Sequence, residues 1–281
     1  MKLGICCGPG SFAPQAAADP LASLPRLVEI LQEAGADYIE FPVGAVMPEG
    51  GEAEFEKLRA TLESMPLRVE AFNSFIPATH RITGPDVDVP RVLEYCRTAL
   101  GRCKALGGAV VVLGSAGARK VPDGFAKNTA EQQFVEFCGA LEPVAAEAGV
   151  TITVEPLNSK EDNLILSVEH GARLVDSIAQ PHIQLLADLY HMIEEAEPVA
   201  NVAAAGSRLR HTHVADLGRA APGYAEHGEA DFTGFFRSLR QAGYDRLDAP
   251  RCSFEGRFDD LAAQAGPLLA LLRRRWAESA L

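Results

Sequence analysis

Eight short apolar runs, each followed by a stretch with helical periodicity, recur along the chain and restrict its fold more than any other feature. They are KLGICC (2–7), YIEFPVG (38–44), LRVEAFNSF (67–75), AVVVLGS (109–115), VTITVEPL (150–157), IQLLADLYH (183–191), LRHTHVAD (209–216) and RLDAPRCSF (246–254). Between them, Leu24, Leu27, Val28 and Leu31 follow the i, i+3, i+4, i+7 spacing of an amphipathic helix, and Val92, Leu93, Cys96, Leu100 and Cys103 repeat it. Gly35, Gly107, Gly149 and Gly243 stand just before the next run, where helices end. Strand, helix, glycine, strand is the signature of parallel βα units. With no Pro/Ser-rich linker or charge block to divide the chain, residues 1–281 read as one domain. The expected class is α/β, a single (β/α)8 TIM barrel. A doubly wound open sheet is the alternative, and GICCGPGSF after the first run is no G-x-G-x-x-G dinucleotide turn.

Composition narrows the partners. Hydrophobic residues make up 47% of the 281, enough for a large core. No apolar run reaches the roughly 20 residues of a membrane span, and MKLGICCGPG enters a strand with no signal-peptide core, so a cytoplasmic protein is expected. The six cysteines show no C-x-x-C spacing and read as small buried hydrophobes. A net charge of −12 speaks against a nucleic-acid partner but leaves room for a small sugar or sugar phosphate.

In a barrel of this kind chemistry sits at the C-terminal ends of the strands. The polar residues near those ends are Glu40, Glu70, Asn73, Glu155, Asn158, Asp188, His191, His211, His213, Asp216 and Arg251. Carboxylates and imidazoles converging on one mouth make a divalent-metal or acid/base site. In HTHVAD, period-2 alternation puts His211 and His213 on one face, which belongs to the lumen, with His213 nearer the mouth.

VEPLNSKED, ADLYHMIEE and HTHVADLGRAAPG together resemble the sugar isomerase/epimerase superfamily of xylose isomerase-like barrels, the group of the ketose 3-epimerases and hydroxypyruvate isomerase. The resemblance runs through the last four strands, about half of the chain. It implies Glu155, Asp188 and His213 as metal ligands, Glu155 as a proton-transfer base, and His191, Arg219 and Glu161 as substrate-side residues. It also implies a divalent cation (Mn, Mg or Co) that polarises a carbonyl while a carboxylate moves the proton. Endonuclease-type relatives need more strand-end histidines and a basic face than seven histidines and a charge of −12 supply. GSAGARKVP after the fourth run reads equally as a phosphate seat using Arg119 and Lys120 or as a plain glycine-rich turn. Barrels of this kind often form homo-oligomers, and Trp276 can serve as packing or as interface.

One position departs from the pattern. The family carries a fourth ligand, a glutamate, about eight residues after a GYDG turn. Here the turn is GYDR (243–246), and that count reaches Arg251. A guanidinium neither ligates a cation nor gives up its proton near neutrality. Three readings follow: a metal held by three ligands and water, Arg251 standing in for the cation as a catalytic group, or Glu255 folding back to supply the carboxylate. Repulsion of several kcal/mol between Arg251 and a divalent ion, at an effective dielectric of about 20, favours a weakened or lost metal. The expected function is a sugar or sugar-phosphate isomerase/epimerase-like enzyme working by proton abstraction beside a carbonyl. A lyase, or a non-catalytic sugar-binding or regulatory barrel, is the alternative. Loss of the second base counts against a two-base 3-epimerase.

Overall fold

A computed structural model describes residues 1–9, 20–47 and 51–280 of the chain. The eight apolar runs become eight parallel strands: β1 (Lys2–Cys6), β2 (Tyr38–Pro42), β3 (Val69–Asn73), β4 (Val110–Leu113), β5 (Thr151–Val154), β6 (Ile183–Asp188), β7 (Leu209–Val214) and β8 (Arg251–Phe254). Each pairs with the next, and β8 pairs with β1 through Lys2↔Arg251, Leu3↔Cys252, Gly4↔Ser253 and Ile5↔Phe254. The sheet is a closed barrel, which removes the open-sheet alternative. Part of the GICCGPGSF segment (residues 10–12) lies outside the described residues.

Long helices cover the strands because their apolar stripes match the outward strand faces. Helix α1 (Pro20–Glu33) buries Leu24, Leu27, Val28 and Leu31, the stripe read from the sequence. Helix α2 (Gly51–Glu63) buries Phe55, Leu58 and Leu62. Helix α3 (Val89–Ala105) is started by Asp88, whose side chain accepts from the Arg91 N–H, and it buries Cys96, Leu100 and Cys103. A short turn, α4 (Ala116–Arg119), follows β4. Helix α5 (Lys127–Ala148) ends at Gly149, in the left-handed region at φ 64° that glycine enters without steric cost. Helices α6 (Val168–Ile178), α7 (Leu189–Glu194), α8 (Ala200–Ala205), α9 (Phe232–Gln241) and α10 (Leu261–Glu278) complete the layer. Among the described residues no helix is long and apolar enough to cross a membrane.

Strand limits decide which end of the barrel each polar residue occupies. In the last run the sequence reading starts a strand at Arg246, but Tyr244–Arg246 forms a 3-10 turn and 247–250 remain loop. Arg251 is therefore the first residue of β8, level with Lys2 at the N-terminal end. Glu70 is likewise the second residue of β3. Both lie at the opposite end from the mouth. There Glu70 accepts from Lys2 Nζ at 2.5 Å and from Arg251 Nε at 2.7 Å, a compensated cluster that plugs the barrel floor.

Candidate functional site

The C-terminal mouth gathers Glu155, Asp188, His213 and Glu255, one ligand atom from each lying within 4.8 Å of all the others. Glu155 follows the last residue of β5, and its N–H still bonds the Leu113 carbonyl at 3.3 Å, so the sheet itself aims the side chain. Its room comes from Gly114: a Cβ built there would overlap Glu155 Oε2. Asp188 ends β6 and caps α7, using only Oδ1 to accept from the Tyr190 N–H (2.7 Å) and the His191 N–H (3.4 Å). Its Oδ2 is left for the mouth, buried and without a hydrogen-bond partner among the described residues. His213 lies on β7, with Nδ1 3.1 Å from Glu155 Oε1, 2.8 Å from Glu255 Oε2 and 3.9 Å from Asp188 Oδ2. Glu255 follows β8 directly and needs no fold-back, because its N–H pairs with the Val214 carbonyl at 3.0 Å and continues the ladder.

Three carboxylates around one imidazole leave a surplus of negative charge. Burial and the charge of Glu255 raise the carboxyl of Glu155. Burial first, and Glu255 against the pull of His213, carry Asp188 to about 6. For Glu255, burial acts upward, but the attraction of His213 prevails and holds it below its usual range. Oxygen and imidazole donors in this number suit a divalent cation. Asp188 Oδ2 and Glu255 Oε2 are the atoms such an ion would satisfy, since both are buried and make no well-directed hydrogen bond among the described residues. The approach of Glu255 Oε2 to His213 Nδ1 is close but lacks hydrogen-bond geometry. A second cluster of Cys6, Glu40 and His213 fits an ion less well, because both oxygens of Glu40 already accept hydrogen bonds.

Beside the four lies a polar wall. His191 Nδ1 accepts from the Asn158 backbone N–H at 3.1 Å, a group that can only donate, and burial holds the ring neutral by lowering its pKa. Its proton is thus on Nε2, 3.3 Å from Arg219 Nη2. Two donors facing one point leave a place for an acceptor oxygen between them. Arg219 is steadied by Glu161 (3.2 Å) and by stacking over the Tyr190 ring. Glu161 also accepts from Asn158 Nδ2 at 3.1 Å. Asn73 reaches the same space and donates to Glu255 Oε1 at 3.4 Å.

Several residues singled out from the sequence sit elsewhere, and Arg251 is the main correction. It is a floor residue bonded to Glu70, four positions and about 13 Å of strand below Glu255. It neither touches the mouth nor repels an ion there, so the ground for doubting a metal disappears. Asp216 is spent on the N–H groups of Leu217, Gly223 and Ala230, bracing the loop after β7. His211 bonds Glu40 one layer beneath the mouth. The GSAGARKVP loop offers no phosphate seat through Arg119, which is fully buried and paired with Asp162 at 2.8 Å. What the eight-residue count missed, the local pattern contained: SFEG at the end of β8 repeats TVEP at the end of β5, with a glutamate directly after the strand and a residue that breaks it.

Residues 28–274 match the model of the xylose isomerase-like TIM barrel family. The chain belongs to this family. An L-ribulose 3-epimerase of Methylomonas sp. (strain DH-1) is 28% identical over 262 residues, covering 86% of this chain and 88% of the relative. The crystal structure of a D-psicose 3-epimerase with D-tagatose, from Clostridium cellulolyticum H10, superposes with a TM-score of 0.81 at 19% identity, covering 98% of this chain and 99% of the other. The IOLI protein, solved with a bound zinc atom, gives 0.73 at 16% identity over 99% and 98%. For a xylose isomerase-like barrel the clustering at the mouth is ordinary in position. Below it, polar residues continue down the lumen to the floor.

Proposed function

We propose that this chain is a divalent-metal-dependent ketose epimerase, with Glu155 and Glu255 exchanging protons on opposite faces of the carbon beside a carbonyl. The observation that carries this is the arrival of Glu255 at the group formed by Glu155, Asp188 and His213. β5 and β8 stand three strands apart in a ring of eight, so the two glutamates approach the lumen from well-separated directions. One carboxylate takes the proton from carbon, an enediolate forms, and the other carboxyl delivers its proton to the opposite face, inverting the centre. Glu155, Asp188, His213 and Glu255 would hold Mn²⁺, Mg²⁺ or Co²⁺, which would supply polarisation of the carbonyl and charge stabilisation. His191 Nε2–H and Arg219 donate to substrate oxygens, and Glu161 holds Arg219 in place. The 3-epimerase relatives support the same reading.

The substrate is a small sugar. Arg119 is paired with Asp162, Arg219 with Glu161 and Lys160 with Glu194, while Arg81 is engaged by backbone carbonyls, including that of Gly117, so none of these four is free to seat a phosphate. Lys120 and Arg257 are exposed, and Arg257 lines a cavity with Arg219. Six unpaired cysteines fit a cytoplasmic location.

The test is turnover of L-ribulose and D-psicose with Mn²⁺ in D2O. The reading expects an epimeric ketose carrying one solvent deuterium at the inverted carbon. An aldose product, or inversion without exchange, would overturn it.

A further inference from the structure

Directly beneath the four mouth groups lies a carboxylate that the proposed reaction does not use. Glu40 ends its side chain in the lumen with no exposed surface, and among the described residues none of its hydrogen-bond partners is a lysine or arginine. Oε1 faces His213 Nε2 at 2.9 Å. Oε2 faces His211 Nε2 at 2.8 Å and Ser253 Oγ at 2.5 Å. An ionised carboxylate only accepts, so each of these three atoms must carry a hydrogen toward it.

Strand register sets this arrangement. His213 pairs with Ser253, Ser253 with Gly4 and Gly4 with Tyr38, so that Glu40, two residues beyond Tyr38 on β2, lies next to this row of residues. Ser253 spends its hydrogen on Glu40, so the Tyr38 hydroxyl, 2.7 Å away, is the donor to Ser253. Gly4 makes that possible, because a Cβ there would overlap the Tyr38 ring. The result is a directed relay of buried donors converging on one carboxylate.

His213 has only one other nitrogen, and Nδ1 is the atom that faces Glu155, Glu255 and Asp188. A neutral imidazole carries its proton on one nitrogen and its free lone pair on the other. We infer that Glu40 is a positioning residue that fixes His213 in the Nε2–H tautomer and thereby makes Nδ1 a ligand to a divalent cation. This rests on the reading of the mouth as a metal site. Without Glu40 the ring is free to rotate and to place its proton on either nitrogen, and the fraction of rings ready to ligate falls. Glutamine in its place keeps a single acceptor oxygen for three donors. His211 can relieve part of the conflict by moving its proton to Nδ1, which is buried and has no hydrogen-bond partner among the described residues.

The experiment combines calorimetric Mn²⁺ titration of the wild type, Glu40→Gln, Ser253→Ala and Glu255→Gln with ¹⁵N NMR of the histidine rings in the Mg²⁺- or Zn²⁺-loaded wild type. Glu40→Gln is expected to bind Mn²⁺ about 10- to 100-fold more weakly, the usual cost of losing an outer-shell partner. Ser253→Ala should lose less. The NMR spectrum should show His213 protonated at Nε2, with Nδ1 shifted by the metal. Wild-type affinity in a folded Glu40→Gln, or a His213 that ligates through Nε2, overturns the inference. Should Glu40→Gln not fold, the wild-type spectrum decides alone. Unchanged affinity in Glu255→Gln would instead sink the metal-site reading beneath it.

Discussion

At the floor of the barrel Glu70 lies between Lys2 and Arg251, two cations to one carboxylate; at the mouth Glu155, Asp188 and Glu255 surround His213, three carboxylates to one imidazole. Both clusters are built from side chains at strand ends, and only four positions of β8 separate Arg251 from Glu255. The floor is satisfied. Both Glu70 oxygens are bonded, and the cluster joins β1, β3 and β8 where the barrel closes. The mouth is not. Asp188 Oδ2 and Glu255 Oε2 are buried without hydrogen-bond partners among the described residues, and three carboxylates there face one imidazole. A cluster whose carboxylate oxygens are all hydrogen-bonded is holding the fold together, whereas one with buried oxygens left unbonded is a place for something to bind.

Substitutions should separate the two ends, and the largest effect belongs to the mouth. Glu155→Gln and Glu255→Gln should each lower epimerase turnover by about 10³ or more, losing a base and a ligand together, while the protein stays folded. Steady-state rates with circular dichroism check this. If either variant keeps turnover within tenfold, that glutamate is not a proton-transfer group.

Arg251→Met should do the reverse. Removing one cation from Glu70 should cost about 2 kcal/mol of stability, as expected for hydrogen bonds to a charged group, and leave kcat/KM within about threefold. Denaturant unfolding and kinetics on the same preparation read both quantities. A collapse of activity at unchanged stability would restore Arg251 to the site.

The uncompensated mouth should also appear as a pH dependence. Asp188 is held at about 6, above the ordinary 3.8, so between those values the folded metal-free protein binds a proton that the unfolded chain does not. Stability from this group is full below about pH 4 and is lost as pH rises through 6, an effect of about 3 kcal/mol. Urea unfolding from pH 4 to 7 should slope downward in the metal-free wild type and less steeply in Asp188→Asn, where the raised Glu155 remains. Equal slopes would show that the raised value is not a property of the folded site.

The smallest change tests the space given to Glu155. Gly114→Ala adds a methyl group where Glu155 Oε2 sits, and should lower kcat/KM about tenfold by displacing the carboxylate. Unaltered kinetics would mean that the carboxylate has room to move without loss.

Much of this was legible in the chain. Eight apolar runs and their intervening stripes were enough for the barrel, because period and order are local properties. Glu155, Asp188 and His213 could be read because each stands at or beside the end of a short, unambiguous strand. Arg251 was misplaced because RLDAPRCSF looks like one continuous run, although Pro250 precedes the strand and 244–250 are turn and loop. Counting from a turn assumes a fixed loop length, and loop length is what varies. Glu40 reads as a strand-end acid although it is the middle residue of β2, and its partners could not be seen, since Ser253 and His211 meet it, and Tyr38 meets Ser253, only once the barrel has closed.

Calorimetric Mn²⁺ titration of the wild type, Glu255→Gln and Arg251→Met decides which end of this lumen takes a cation. One tight site is expected in the wild type, with the same affinity in Arg251→Met and at least tenfold weaker binding in Glu255→Gln. Metal binding that is indifferent to Glu255, or that changes on removal of Arg251, would contradict a cation site at the mouth.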